Sequence, residues 1–138
     1  MSAFEVKFGN PEGLFKSKAF SQVVSISGKA RTIYIGGQNA VNAQGELVGK
    51  DDFEAQVKQA LENIKIALKS ENAAFEDVIK LNIYMVDGCD AGAGFKVFRE
   101  IVGELKNPPL ITVLKVSGLA NPLYLIEIDA IAVVEEKN

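Results

Sequence analysis

At 138 residues, with 48% apolar and 24% charged side chains, the chain has the size and composition expected of one globular domain spanning residues 1–138. It has no histidine, a single cysteine and a net charge of −3. These exclude histidine-based nucleophilic triads, histidine metal sites, a disulfide framework and a thiolate metal cluster. General acid–base work falls to Asp, Glu, Lys, Tyr or bound water. The charges are interspersed, with no basic stripe of the kind that nucleic-acid binding leaves, so RNA or DNA is not expected as a partner. The N-terminal MSAFEVKFGN lacks a signal-peptide layout and no apolar run reaches membrane-spanning length, so a soluble cytoplasmic protein is expected.

In chain order, Glu5–Phe8 reads as a short strand and Gly9–Ala19 as a loop rich in turn residues. Gln22–Ser27 and Thr32–Ile35 read as strands joined by a turn at Gly28. The second of these runs into Gly36-Gly37, a costly way to end a strand unless something approaches the backbone closely. Phe53, Val57, Ala60, Leu61, Ile64 and Leu68 recur with helical period, and Asp51 with Glu54 resembles a capping box. EDVIKLNIYMV alternates, placing Ile79, Leu81, Ile83 and Met85 on one face. Phe95, Phe98, Ile101, Val102 and Leu105 predict a second helix ending before Pro108-Pro109. Strands are expected at Leu110–Val116 and Leu123–Val133. GCDAGAGF, Gly88–Phe95, lacks the Gly-Lys-Ser/Thr ending of a phosphate loop and reads as the entry to that helix.

A β-β-β-α-β-α-β-β order gives an α+β sheet whose two helices cover one face. The other face is expected to carry Val78, Tyr84, Val86, Ile111 and Val113, too apolar to be left in water. Burial by further copies of the chain is the economical solution.

Five blocks carry a resemblance: FSQVV, YIGGQNAVNAQGELVG, FEAQVKQALENIKIAL, EDVIKLNIYMVD and LIEIDAIAV. In order and spacing, from Phe20 to Val133, they resemble the RidA/YjgF family of enamine/imine deaminases. The resemblance implies a chorismate-mutase-like fold with a mixed sheet, a homotrimer around a central barrel, and clefts between subunits that bind a small molecule without metal or organic cofactor. In that family an arginine clamps the substrate carboxylate, a glutamate orients the attacking water, and a glycine after the third strand admits the substrate. Matched by position, Gly37 with Gln38 falls on that glycine, Gly36 replaces a serine, and Glu127 falls on the water-orienting glutamate. Phe20 stands where a tyrosine is usual, and Ser21 matches. The arginine position is occupied by Ile111, and Val113 stands where many members have cysteine.

The resemblance therefore implies a cleft lined by Phe20, Ser21, Gly36, Gly37, Gln38, Ile111, Val113 and Glu127, with no arginine clamp. Either the cleft has become apolar and accepts an uncharged or differently placed substrate, or catalysis has lapsed and Ile111 and Val113 are packing. A buried carboxylate would not be repaid by isoleucine for its lost hydration. Lys115, Lys80 and Arg31 are the cations that could substitute. Glu127 is either a water-orienting base or half of an ion pair across an interface. The two glycines are explained by ligand approach or by a β-bulge. Cys89 reads as an inert loop thiol, with no basic cluster to activate it.

Overall fold

Period-two runs become strands and period-3.6 runs become helices in the computed structural model, which describes residues 3–137. The elements are β1 (Glu5–Gly9), β2 (Val23–Ser27), β3 (Ala30–Gln38), α1 (Phe53–Ser70), a 3-10 turn (Phe75–Asp77), β4 (Val78–Val86), α2 (Ala91–Val102), β5 (Leu110–Val116) and β6 (Ile126–Glu135). β1 and β2 form an antiparallel ribbon, and the other strands form a mixed sheet in the order β3-β6-β4-β5. Only β4 and β5 run parallel, and α2 is the crossover that such a pair requires. The fold is α+β, with both helices on one face of the sheet.

The apolar stripe of α1, Val57, Ala60, Leu61, Ile64 and Leu68, packs onto Ile33, Ile35, Leu81, Ile126, Ile128, Ala130 and Ala132. Leu61, Ile64, Leu81, Ile126 and Ile128 are fully buried, each worth about 1.5–3 kcal/mol relative to exposure. Two polar residues share the inner side of α1, seven positions apart. Gln56 is completely buried and donates from Nε2 to the carbonyls of Gly49 (3.0 Å) and Leu123 (3.1 Å), while its Oε1 accepts from Leu125 N at 2.9 Å. Asn63 Nδ2 donates to the carbonyls of Asn39 (3.1 Å) and Val41 (2.9 Å). One helix thus fixes the loop after β3 and the turn before β6.

Several boundaries differ from expectation. Asp52, not Asp51, caps α1, its carboxylate accepting from Ala55 N at 3.1 Å, while Asp51 takes a left-handed φ of 57°. α2 begins at Ala91 rather than near Phe95, because the Asp90 carboxylate accepts from Gly92 N at 2.9 Å and offsets the weak helix propensity of Gly92 and Gly94. β6 starts at Ile126 rather than Leu123, the Leu123 carbonyl and the Leu125 N–H being taken by Gln56 while only the Leu125 carbonyl reaches β4, accepting from Val86 N at 3.0 Å.

The assignment of faces is corrected. The register between β4 and β6 slips at Ile79, so that Val78 faces Ala132 and Lys80 faces Ile131. The extra residue turns Val78 to the helix side, where it is fully buried. Ile111 and Val113 lie beside Leu81 and Ile83 in the parallel ladder, so they too face the helices. The opposite face is more polar than expected. It carries Thr32, Asn82, Tyr84, Thr112, Glu127 and Asp129, with Tyr34 and Leu114 77% and 51% exposed.

Candidate functional site

The glycine pair lies where β3 and β6 change register: Ile35 faces Ala130 and Gln38 faces Ile128, leaving Gly36 and Gly37 opposite Asp129 alone. This is a β-bulge, and its two glycines are not equivalent. A Cβ at Gly36 would meet nothing within 4 Å, whereas one at Gly37 would overlap the Glu127 carboxylate, lying 2.8 Å from its Cδ. The group that comes too close for a side chain is therefore Glu127 itself. Its Oε1 accepts from Asn39 Nδ2 at 3.3 Å, and the same amide donates to the Ile126 carbonyl at 3.0 Å. Asn39 is anchored in turn by Asn63 of α1.

This arrangement holds a half-buried carboxylate by one amide while its second oxygen lies over a glycine. No ion pair engages it; the one ion pair among the described residues joins Arg31 to Glu71 at 2.8 Å. A carboxylate so placed can accept a proton or hydrogen bond from a water above the bulge. Gln38 pairs with Ile128, the residue after Glu127, and turns its own amide back to the Gly36 carbonyl at 3.2 Å.

The remaining expected site residues lie elsewhere in the single chain. Ser21 is buried, its Oγ donating to the Pro108 carbonyl at 2.6 Å and its N–H to the Pro109 carbonyl at 3.0 Å. It therefore pins its loop to the start of β5. Phe20 packs its ring 6.5 Å from that of Phe15. Ile111 and Val113 line an apolar cavity of about 210 Å³ between α2 and the sheet, with Ile83, Met85, Phe95 and Phe98. Glu127 stands beside Tyr84 on the opposite face. Among the four strands of the mixed sheet, β5 is one edge and β3 the other, so one copy separates the Ile111 group from the Gly37 group.

None of the candidate cations lies in the apolar lining around Ile111. Arg31 is bound to the Glu71 side chain and to its carbonyl at 2.9 Å. Lys80 reaches Thr112 Oγ1 at 3.4 Å on the other face. Lys115 shares the face of Ile111 and Val113, beside Met85, and lies close enough to Cys89 to act on its thiol. Burial pushes the Cys89 thiol above the ordinary cysteine range, and the Lys115 ammonium offsets part of that rise. Sequence reasoning missed Asn39 and the aromatic wall of Phe95 and Phe98. A half-buried glutamate needs a nearby donor, and Asn39 stands two residues past Gly37.

The family model described as Endoribonuclease L-PSP matches residues 14–134. A RutC family protein of Pyrococcus abyssi is 34% identical over 128 residues, 88% of this chain and 95% of that one. The rat 2-iminobutanoate/2-iminopropanoate deaminase is 33% identical over 116 residues, covering 83% of this chain and 80% of its own. Among solved structures, the Rid family protein YyfB of Yersinia pestis superposes with a TM-score of 0.80 at 36% identity, over 94% of this chain and 98% of that one. With the mixed sheet, its crossover helix and the glycine–glutamate pair in place, the chain belongs to the endoribonuclease L-PSP family, which is the RidA/YjgF family.

Proposed function

We propose that this protein hydrolyses small reactive enamines or imines to a carbonyl compound and ammonia, without a cofactor, in clefts between the subunits of a homotrimer. The observation that carries the reading is the Glu127 carboxylate, seated over Gly37 and held by Asn39. Similarity to a 2-iminobutanoate/2-iminopropanoate deaminase supports the reaction class. In an imine the carbon is electrophilic. Glu127 takes a proton from water as the water oxygen bonds to that carbon, and passing this proton to nitrogen gives a neutral carbinolamine. Moving the carbinolamine's hydroxyl proton to nitrogen, again through Glu127, lets the C–N bond break, so that the water oxygen remains as the carbonyl and ammonia leaves. Gly37 and Gln38 would hold the polar end of the substrate by their backbone.

The two halves of the site lie toward opposite edges of the mixed sheet. Setting the β5 edge of one copy against the β3 edge of the next would bring the strand that carries Ile111 and Val113 beside the Gly36-Gly37 bulge, over which the Glu127 carboxylate lies. Ile111 removes the carboxylate clamp, so specificity shifts from imino acids towards substrates held in another way. The test is ammonia release from a panel of imines generated in situ, with and without a carboxylate. Acceleration on the uncharged members, lost in Glu127→Ala, is expected. Acceleration on carboxylate-bearing members alone would overturn the specificity argument.

The wholly apolar lining at Ile111 and Val113 favours one second reading, a non-catalytic trimer that binds a small metabolite. Ligand binding with every activity unchanged in Glu127→Ala would establish it. A ribonuclease or translation-inhibitor role would demand RNA affinity falling steeply with salt, which the net charge of −3 argues against.

A further inference from the structure

We infer that the cavity beneath α2 is a binding site for a neutral hydrocarbon group, so that the substrates of this protein are imines or enamines carrying an uncharged apolar side chain. The inference rests on the deaminase reading for the chemistry, but not for the binding. Every residue lining the cavity is apolar, from Ile83 and Met85 on the floor to Phe95 and Phe98 on the wall. A buried water needs two to four polar partners, which this lining lacks, and a purely apolar cavity of ~150 Å³ is known to stay dry and admit benzene. About 210 Å³ is larger, enough for a ring with a short substituent.

Small residues keep the space open. Ala91 and Gly94 stand in the wall that α2 contributes, and a Cβ at Gly94 would already press on Phe53 Cε2 at 3.1 Å. Larger residues at these positions would fill the gap or push the helix outward. The mouth lies between α2 and the β5 edge, where Phe95 is 42% and Val113 48% exposed. A ligand entering there would bury its hydrocarbon end against Ile111 and leave its reactive carbon at the sheet edge. A carboxylate inside the cavity would lose its hydration with no donor to replace it. Lys115, the one cation on this face of β5, lies beyond Val113 rather than in the lining.

The reaction stays balanced with water as the only co-reactant. A neutral aldimine, RCH=NH, and water give RCHO and ammonia, the oxygen of water becoming the aldehyde oxygen.

Calorimetric titration of the full chain with toluene, benzaldehyde and benzoate tests the site without requiring turnover. Saturable binding of toluene and benzaldehyde is expected, with benzoate at least tenfold weaker. Val113→Phe, a change at a half-exposed edge position, should weaken toluene binding tenfold or more. Toluene binding unaffected by Val113→Phe, or benzoate binding as tightly as benzaldehyde, would overturn the inference. The wild-type comparison of benzaldehyde with benzoate decides the charge preference even if Val113→Phe fails to fold. Toluene binding without ammonia release from benzaldimine would uphold the cavity and remove the deaminase reading. Ammonia release from short alkyl imines with no toluene binding would do the reverse.

Discussion

At residue scale the proposed chemistry turns on one missing Cβ. Gly37→Ala must displace the Glu127 carboxylate, the end of a half-buried side chain held by one amide, so the cost should fall at the low end of overpacking, about 1 kcal/mol. Gly36→Ala, one residue earlier but facing open space, should change stability by less than about 0.5 kcal/mol. In a Glu127→Ala background the penalty at Gly37 should largely vanish, since the obstructing group is gone. Urea unfolding of the four proteins in that cycle measures the coupling, and a Gly37 penalty independent of Glu127 would mean that the backbone, not the carboxylate, demands glycine. A second residue-scale prediction concerns Cys89. Burial raises its pKa, so iodoacetamide should react slowly near neutral pH and faster as pH rises and the thiolate forms. Removing the nearby cation in Lys115→Ala removes a stabiliser of the thiolate. The pKa should climb further, and alkylation at a fixed pH should slow.

Among the elements, the polar residues on the inner face of α1 do what the apolar stripe cannot. Gln56 satisfies two carbonyls and one N–H in places where no strand neighbour reaches them. Gln56→Leu should cost about 3 kcal/mol, since each buried group left unpaired costs roughly 1–3 kcal/mol; denaturant midpoints of the variant and parent measure it. Both helices were legible from their 3.6 period. The bulge at Ile79 was not, because Val78, Ile79, Leu81, Ile83 and Met85 are all apolar and alternation cannot say where a residue is skipped. β5 posed the same problem: Leu110, Ile111, Val113, Leu114 and Val116 put apolar side chains on both faces, so its inner face depended on register with β4. Gly37 and Glu127 were singled out through their match to the family blocks, but their mutual contact required the β3–β6 register.

At the scale of the whole molecule, assembly would draw on other residues than the alternation in the strands points to. Val78 no longer calls for a partner, being buried against the helices, and Ile111 and Val113 lie on the helix side, where Val113 is still half exposed at the β5 edge. The far face keeps Tyr34 and Leu114, well exposed on the outer strands of the mixed sheet, with Tyr84, Val86 and Ile131 on the strands between them. Trimer formation through this face should make Leu114 an interface residue, whereas Ile66, 67% exposed on α1, should stay in solvent. Sedimentation is expected to give a mass three times that of the 14.9 kDa chain. Leu114→Glu would bury three like charges near one another and should shift the protein to monomer, while Ile66→Glu leaves the mass unchanged. Because Glu127 and the Ile111 cavity meet only across two copies in the proposed cleft, the Leu114→Glu monomer should lose ammonia release. It should still bind toluene, since the cavity is complete within one chain. A monomer that retained full deaminase activity would show that Glu127 works without the second copy, and that the cleft between edges is not where the reaction occurs.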